Sequence, residues 1–128
     1  MQIIEKMSGK EVQHLSTNTT PVRRAPEPLA RRMVSLLPPA EVHGSRRFTV
    51  LTYNILAELY ATQTAFPSSE PYVLLWQYRV QLILRELELY SADIVCLQEV
   101  QSTSFHEDLL PAMDKLGFDA VFKKKTQV

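Results

Sequence analysis

Asn54 and Glu99 are the residues best placed to do chemistry in this 128-residue sequence. Asn54 interrupts the apolar run "FTVLTYNIL" (Phe48 to Leu56), and Glu99 follows the buried-looking stretch of "ADIVCLQEVQ" (Ala92 to Gln101). A carboxylate at a rigid strand tip can ligate a hard cation. Mg²⁺ favours one or two carboxylates completed by water and phosphate oxygens. A buried amide must be hydrogen-bonded, so Asn54 either ties a neighbouring loop or orients a phosphate or metal-bound water. For Glu99 the competing reading is a strand end that meets solvent. Two polar interruptions at the C-terminal parts of successive strands outweigh one, because ligand sites in open α/β sheets gather along that edge.

Other titratable residues offer less. His106 sits in the first turn of an expected helix and reads as solvent-facing, while His14 and His43 lie in a tail. Lys123, Lys124 and Lys125 can contact phosphates, but three lysines after a strand also describe a solvated end. There is no P-loop, dinucleotide-binding glycine pattern, Cys/His metal cluster or serine nucleophile elbow.

The elements that must hold these residues follow from periodicity. Phe48 to Leu56 is apolar on both alternation faces, as expected of a strand covered on two sides. Trp76, Val80, Ile83, Leu87 and Tyr90 recur at helical spacing, with Gln77, Arg85, Glu86 and Glu88 on the wet sides. Ser91 and Ala92 turn into a second strand, Asp93 to Gln98. Ser104 and Glu107 fit a capping box opening a second helix, which Gly117 closes despite an internal Pro111. "FDAVF" (Phe118 to Phe122) is a third strand. This strand–helix alternation predicts an α/β fold of about three strands and two helices. A sheet edge is left uncovered, so the sequence reads as the front part of a larger domain.

Charge divides the chain. Residues 1–47 carry eight Lys/Arg against four Glu, net +4, and residues 48–128 carry six basic and ten acidic groups, net −4. Five of the eight prolines fall in the basic portion. Residues 1–46 therefore read as a disordered Pro/Arg-rich tail, in which "LARRMVSLL" (Leu29 to Leu37) is a candidate short helix. The single cysteine, Cys96, suits a reduced compartment and a core position. The N-terminus lacks the apolar core of a signal peptide, and no segment approaches a membrane span.

Four stretches, "FTVLTYNILAELYAT", "LLWQYRVQLILREL", "ADIVCLQEVQ" and "AMDKLGFDAVFKKKT", resemble in this order the opening of the carbon catabolite repressor type deadenylases. These belong to the endonuclease/exonuclease/phosphatase superfamily, and the resemblance covers residues 47–128. It implies part of a two-sheet α/β sandwich in place of a simple parallel sheet. It also implies a Mg²⁺-dependent exoribonuclease that removes adenylate from the 3′ end of messenger RNA poly(A) tails. By position, Glu99 is similar to the family's Mg²⁺-ligating glutamate and Asn54 to its active-site asparagine. Trp76 and Arg79 match a W-x-x-R motif read as packing positions. The family's other catalytic acids, its histidine and its adenine-stacking residues lie beyond the matching region, so the chain by itself is expected to be inactive.

Implied partners are poly(A) RNA and subunits of a deadenylase complex, without DNA or membrane. The implied setting is the cytoplasm, with the nucleus as a second compartment. "ATQTAFPSSEPYVLLW" departs from the family's text, and the tail shows no leucine-rich repeats. Two alternatives stand beside this reading. One is a nocturnin-like or Angel-like relative acting on another phosphodiester or nucleotide phosphate; the other is a non-catalytic module docking through the basic tail.

Overall fold

A computed structural model describes residues 2–6, 31–36 and 47–124, the first of these by backbone only. Among these residues four strands form one sheet: β1 (Gln2–Lys6), β2 (Val50–Asn54), β3 (Ile94–Gln98) and β4 (Phe118–Val121), in the order β2-β3-β1-β4. β2 and β3 are parallel, with Thr52 opposite Cys96 and Asn54 opposite Gln98. β1 runs antiparallel to both β3 and β4, so β4 shares the direction of β2 and β3. The helical layer comprises α1 (Pro71–Leu74), α2 (Trp76–Tyr90), α3 (Ser102–Ser104), a π-helical turn (Phe105–Leu109) and α4 (Leu110–Lys115). This bears out the mixed α/β class.

The sheet departs from the three expected strands at its centre. Gln2–Lys6 falls in the tail expected to lack structure, yet it pairs along both edges. Only two adjacent isoleucines, between Gln2 and Glu5, mark it in the sequence, too few to reveal a period of two. It covers the edge of β3, leaving β2 and β4 as the outer strands. The rest of residues 1–46, including His14 and His43, lies outside the described residues apart from 31–36. Those six carry no helix, contrary to the expectation for Leu29 to Leu37.

The register of β2 on β3 is pinned where the two strands begin. Thr49 donates through its backbone N–H and its Oγ1 to Asp93 Oδ2 (2.7 and 2.8 Å), and Asp93 N–H returns a bond to Thr49 Oγ1 (3.0 Å). Because side chains alternate with a period of two, fixing this end fixes which residues reach the far end together.

The core lies on one side of the sheet. Trp76, Val80, Ile83 and Leu87 of α2 and Leu109 and Met113 of the second helical segment cover Val95, Leu97 and Phe118. Among the described residues the other face is open: Val50 and Thr52 are exposed and so is Val121, whereas the sequence predicts a first strand covered twice. Apolar composition records what a strand can bury, and the second cover has to come from elsewhere. Cys96 is buried, as expected.

The second helical segment starts at Ser102, and Ser104 caps nothing; it is buried within the helix. Pro111 is accommodated by the π turn just before it, where Leu110 N–H reaches back to the Phe105 carbonyl. That wider turn absorbs the missing N–H and the ring's bulk, which a straight α-helix cannot. Trp76 Nε1 donates to Asp108 Oδ2 (2.7 Å) and ties α2 to this turn. Gly117, at φ 82°, closes the segment as expected.

Glu86 corrects the helical wheel. It belongs to the expected wet side, yet it is only 6% exposed. Tyr53 Oη donates to Glu86 Oε2 (2.5 Å), and Arg31 pairs with Oε1. Arg31 N–H also donates to Tyr90 Oη (2.6 Å). A segment far upstream in sequence thus supplies the cation beside a buried carboxylate.

This arrangement makes Tyr53 titrate late. Burial first, and then the neighbouring Glu86 carboxylate, push its phenol up to about 12 from an ordinary 10.0. The fold favours the protonated phenol. Its contribution to stability is therefore intact below pH 10 and is lost as the pH climbs through about 12. Spectrophotometric titration should find one of the chain's five tyrosines ionising last, and Tyr53→Phe should remove that phase. Five tyrosines titrating together near their ordinary value would contradict the network.

Candidate functional site

The C-terminal tips of β2 and β3 bring Asn54 and Glu99 together. Asn54 Nδ2 donates to Glu99 Oε1 at 2.5 Å, although 45 residues separate them. The parallel register makes this contact: Asn54 is opposite Gln98, and Ile55 N–H donates to the Gln98 carbonyl (3.1 Å), so both chains turn out of the sheet side by side. Both side chains are exposed, as a site open to a polar ligand requires.

The turns that follow carry unusual backbone. Leu56 and Glu99 both have φ of 55°, in the left-handed region that residues with a Cβ enter at a cost. Such strain is kept where surrounding contacts over-determine it, and it gathers at functional sites. Here the contacts are visible. Leu56 N–H donates to Asn54 Oδ1 (2.9 Å), and Ala57 N–H donates to Glu99 Oε2 (3.3 Å). The Leu56–Ala57 turn thus holds both side chains from the backbone. Further out, Leu59 N–H donates to Gln101 Oε1 (3.3 Å).

Two residues contribute more than the sequence suggests. Gln98 spans β3 and β2 on the open face, donating to the Cys96 carbonyl (2.8 Å) and Thr52 Oγ1 (3.2 Å). Arg79 of α2 reaches under the turn after β2. Its Nη1 donates to the Ile55 and Leu56 carbonyls (2.9 and 2.7 Å), its Nε donates to the Leu74 carbonyl (3.1 Å), and its guanidinium lies 5.5 Å from the Trp76 ring centroid. Burial draws the Arg79 pKa down, with Glu58 opposing. The signal for Arg79 in the sequence is an arginine three residues after a buried tryptophan, next to the apolar helix face. Gln98 gives no signal beyond its place at a strand end.

As a cation ligand, Glu99 offers one carboxylate with both oxygens already oriented, each accepting one bond and keeping free lone pairs. Asn54 turns its amide nitrogen toward Glu99 and its oxygen toward Leu56, so its visible role is to orient the carboxylate. Among the described residues, no three His, Cys, Asp or Glu side chains stand close enough to hold a metal. One carboxylate suits a cation that keeps most of its water or takes ligands from elsewhere. His106 is exposed and stacks edge-on against Phe105, with Phe122 beside it; it joins an aromatic cluster and not this pair. Lys123 and Lys124 are exposed, and Lys125 lies outside the described residues. Among the described residues, no helix is long and apolar enough to cross a membrane.

No family model matches the chain. It is 42% identical over 117 residues to carbon catabolite repressor protein 4 homolog 2 of Arabidopsis thaliana, covering 84% of this chain and 19% of that protein. It is 38% identical over 90 residues to the CCR4-Not complex 3′-5′-exoribonuclease subunit Ccr4 of Schizosaccharomyces pombe, covering 70% of this chain and 13% of that one. Human 2′,5′-phosphodiesterase 12 is 44% identical over 81 residues, 59% of this chain and 13% of the enzyme. The chain thus spans less than a fifth of the length of these relatives.

Proposed function

Because the chain belongs to the carbon catabolite repressor 4 family and spans a part of its members' length, we propose that it forms one side of the active site of a Mg²⁺-dependent 3′-5′ exoribonuclease acting on poly(A). The observation that carries this reading is the Asn54–Glu99 pair. It is an oriented, exposed carboxylate at the C-terminal edge of two parallel strands, held by strained backbone. Glu99 is the proposed metal ligand and Asn54 fixes its rotamer. Bound Mg²⁺ would neutralise a phosphate and lower the pKa of an attacking water. The remaining ligands and the groups that read adenine come from chain beyond residues 47–128, which form the first part of the catalytic domain.

The open sheet face supports the second half of this proposal. With the described helices on one side and Val50 and Val121 exposed on the other, a second sheet packed there would complete a two-layer α/β sandwich. The fission yeast relative is named as a subunit of the CCR4-Not complex, which supports deadenylase-complex subunits as partners. Action on messenger RNA would suit the cytoplasm, with the nucleus as a second compartment.

The test compares two proteins on two substrates. The 128-residue chain should leave oligoadenylate intact with Mg²⁺, since one carboxylate and one amide cannot assemble a hydrolase. A longer protein extended to the relatives' length should shorten 3′,5′-linked oligoadenylate from its 3′ end, and EDTA should stop it. Cleavage by the isolated chain would overturn the division of the site. Preference of the longer protein for 2′,5′-linked oligoadenylate would instead favour an activity like that named for 2′,5′-phosphodiesterase 12.

A further inference from the structure

We propose that Arg79 is a positioning residue for the Asn54–Glu99 pair, acting through the turn after β2. The inference rests on the reading of that pair as a site, but its geometry stands apart from any metal. Three carbonyls converge on the guanidinium: Leu74 at Nε, and Ile55 and Leu56 at Nη1. Two of them belong to the turn, and one of these is the carbonyl of Leu56 itself, the residue at φ 55°. The next two N–H groups along that backbone hold the site, Leu56 N–H on Asn54 Oδ1 and Ala57 N–H on Glu99 Oε2. Arg79 therefore grips the turn from below by its carbonyls, and the turn grips the two side chains from above by its amides.

An arginine suits this place because it donates from two nitrogens, Nη1 to the turn and Nε to Leu74. A planar guanidinium donates in several fixed directions, whereas an ammonium is a compact, rotating point donor that cannot reproduce the fork. Helix α2 fixes the guanidinium's own position. Trp76, one turn earlier, is buried in the core, and its ring lies against the arginine. A strained turn relaxes when its restraints go, so loss of the fork frees Leu56 to leave the left-handed region. Both amides then swing away from Asn54 and Glu99.

Amide hydrogen exchange of the full 128-residue chain tests this directly, because the two protons in question are the reporters. In Arg79→Lys, exchange at Leu56 and Ala57 should rise by about tenfold while Leu87 and Val95 keep wild-type rates. Arg79→Gln should do the same. If it does not fold, the lysine variant decides alone. Unchanged exchange at both turn amides would overturn the proposal. So would equal acceleration at all four positions, which would make Arg79 a general packing residue. Paramagnetic broadening by Mn²⁺, a stand-in for Mg²⁺, supplies the second readout: wild type should broaden at Glu99, and Arg79→Lys should need more metal for the same effect. If wild type shows no broadening there, the metal reading of Glu99 fails, and the exchange data still decide the clamp.

Discussion

Glu99→Gln in the longer protein should lower the rate of oligoadenylate shortening by about three orders of magnitude, the range found when one preorganised electrostatic group is removed from an active site. Glutamine keeps the length of the side chain and an oxygen that can accept from Ala57 N–H or Asn54. What it loses is the charge, so the variant separates a metal ligand from a structural tie. Retained turnover would remove Glu99 from the site.

The backbone makes a second, opposite forecast at the same position. Glu99 has φ 55°, where a Cβ costs about 1 kcal/mol and glycine pays nothing. Neither Glu99→Ala nor Glu99→Gly keeps the bonds to Asn54 and Ala57. Their difference is therefore backbone alone, and Glu99→Gly should be the more stable of the two by about 1 kcal/mol in urea denaturation. At an ordinary strand or helix position that order is reversed. Alanine as stable as glycine would mean that the turn is unstrained.

Glu86→Ala should be the most damaging of the charged-residue changes compared here, at about 2 kcal/mol, chiefly from the unsatisfied phenol it leaves. The carboxylate is 6% exposed and accepts from Tyr53 Oη and Arg31. Removing it strands the phenol and opens a gap between α2 and β2. Arg31→Ala should cost less, about 1 kcal/mol, because the arginine side chain is 61% exposed and water can take its place. Glu88→Ala, two residues on and exposed, is the control and should lie within about 0.5 kcal/mol of wild type. Chemical denaturation of the three variants orders them. Glu86→Ala behaving like Glu88→Ala would dissolve the network.

Much of the fold is legible in the sequence, and the exceptions share a cause. The 3.6-residue spacing of Trp76, Val80, Ile83 and Leu87 locates α2, because a helix that packs on a sheet must present one apolar stripe. Gly117 marks a helix end because a positive φ is free only for glycine. The strands β2, β3 and β4 are visible for similar local reasons. Glu86 is misplaced because a helical wheel assigns charge to water and cannot see a cation brought from 55 residues upstream. Ser104 looks like a cap because capping patterns are local, while the helix actually starts at Ser102 and buries Ser104 within it. β1 is missed because its evidence is its neighbours, not its own five residues.

The candidate site divides in the same way. The sequence by itself determines which groups are available: one carboxylate and one amide at the ends of two apolar strands, in an order that matches a known family. Tertiary structure alone decides that they meet. A parallel pairing with Asn54 opposite Gln98 is needed to set Asn54 against Glu99, and a one-residue slip would send one of them to the other face. Tertiary structure also supplies the strained turns and the Arg79 fork beneath one of them. Strand periodicity is a property of neighbouring residues and can be read along the chain. The orientation of a carboxylate is set by hydrogen bonds from residues 42 and 45 positions away, and those contacts exist only once the chain has folded.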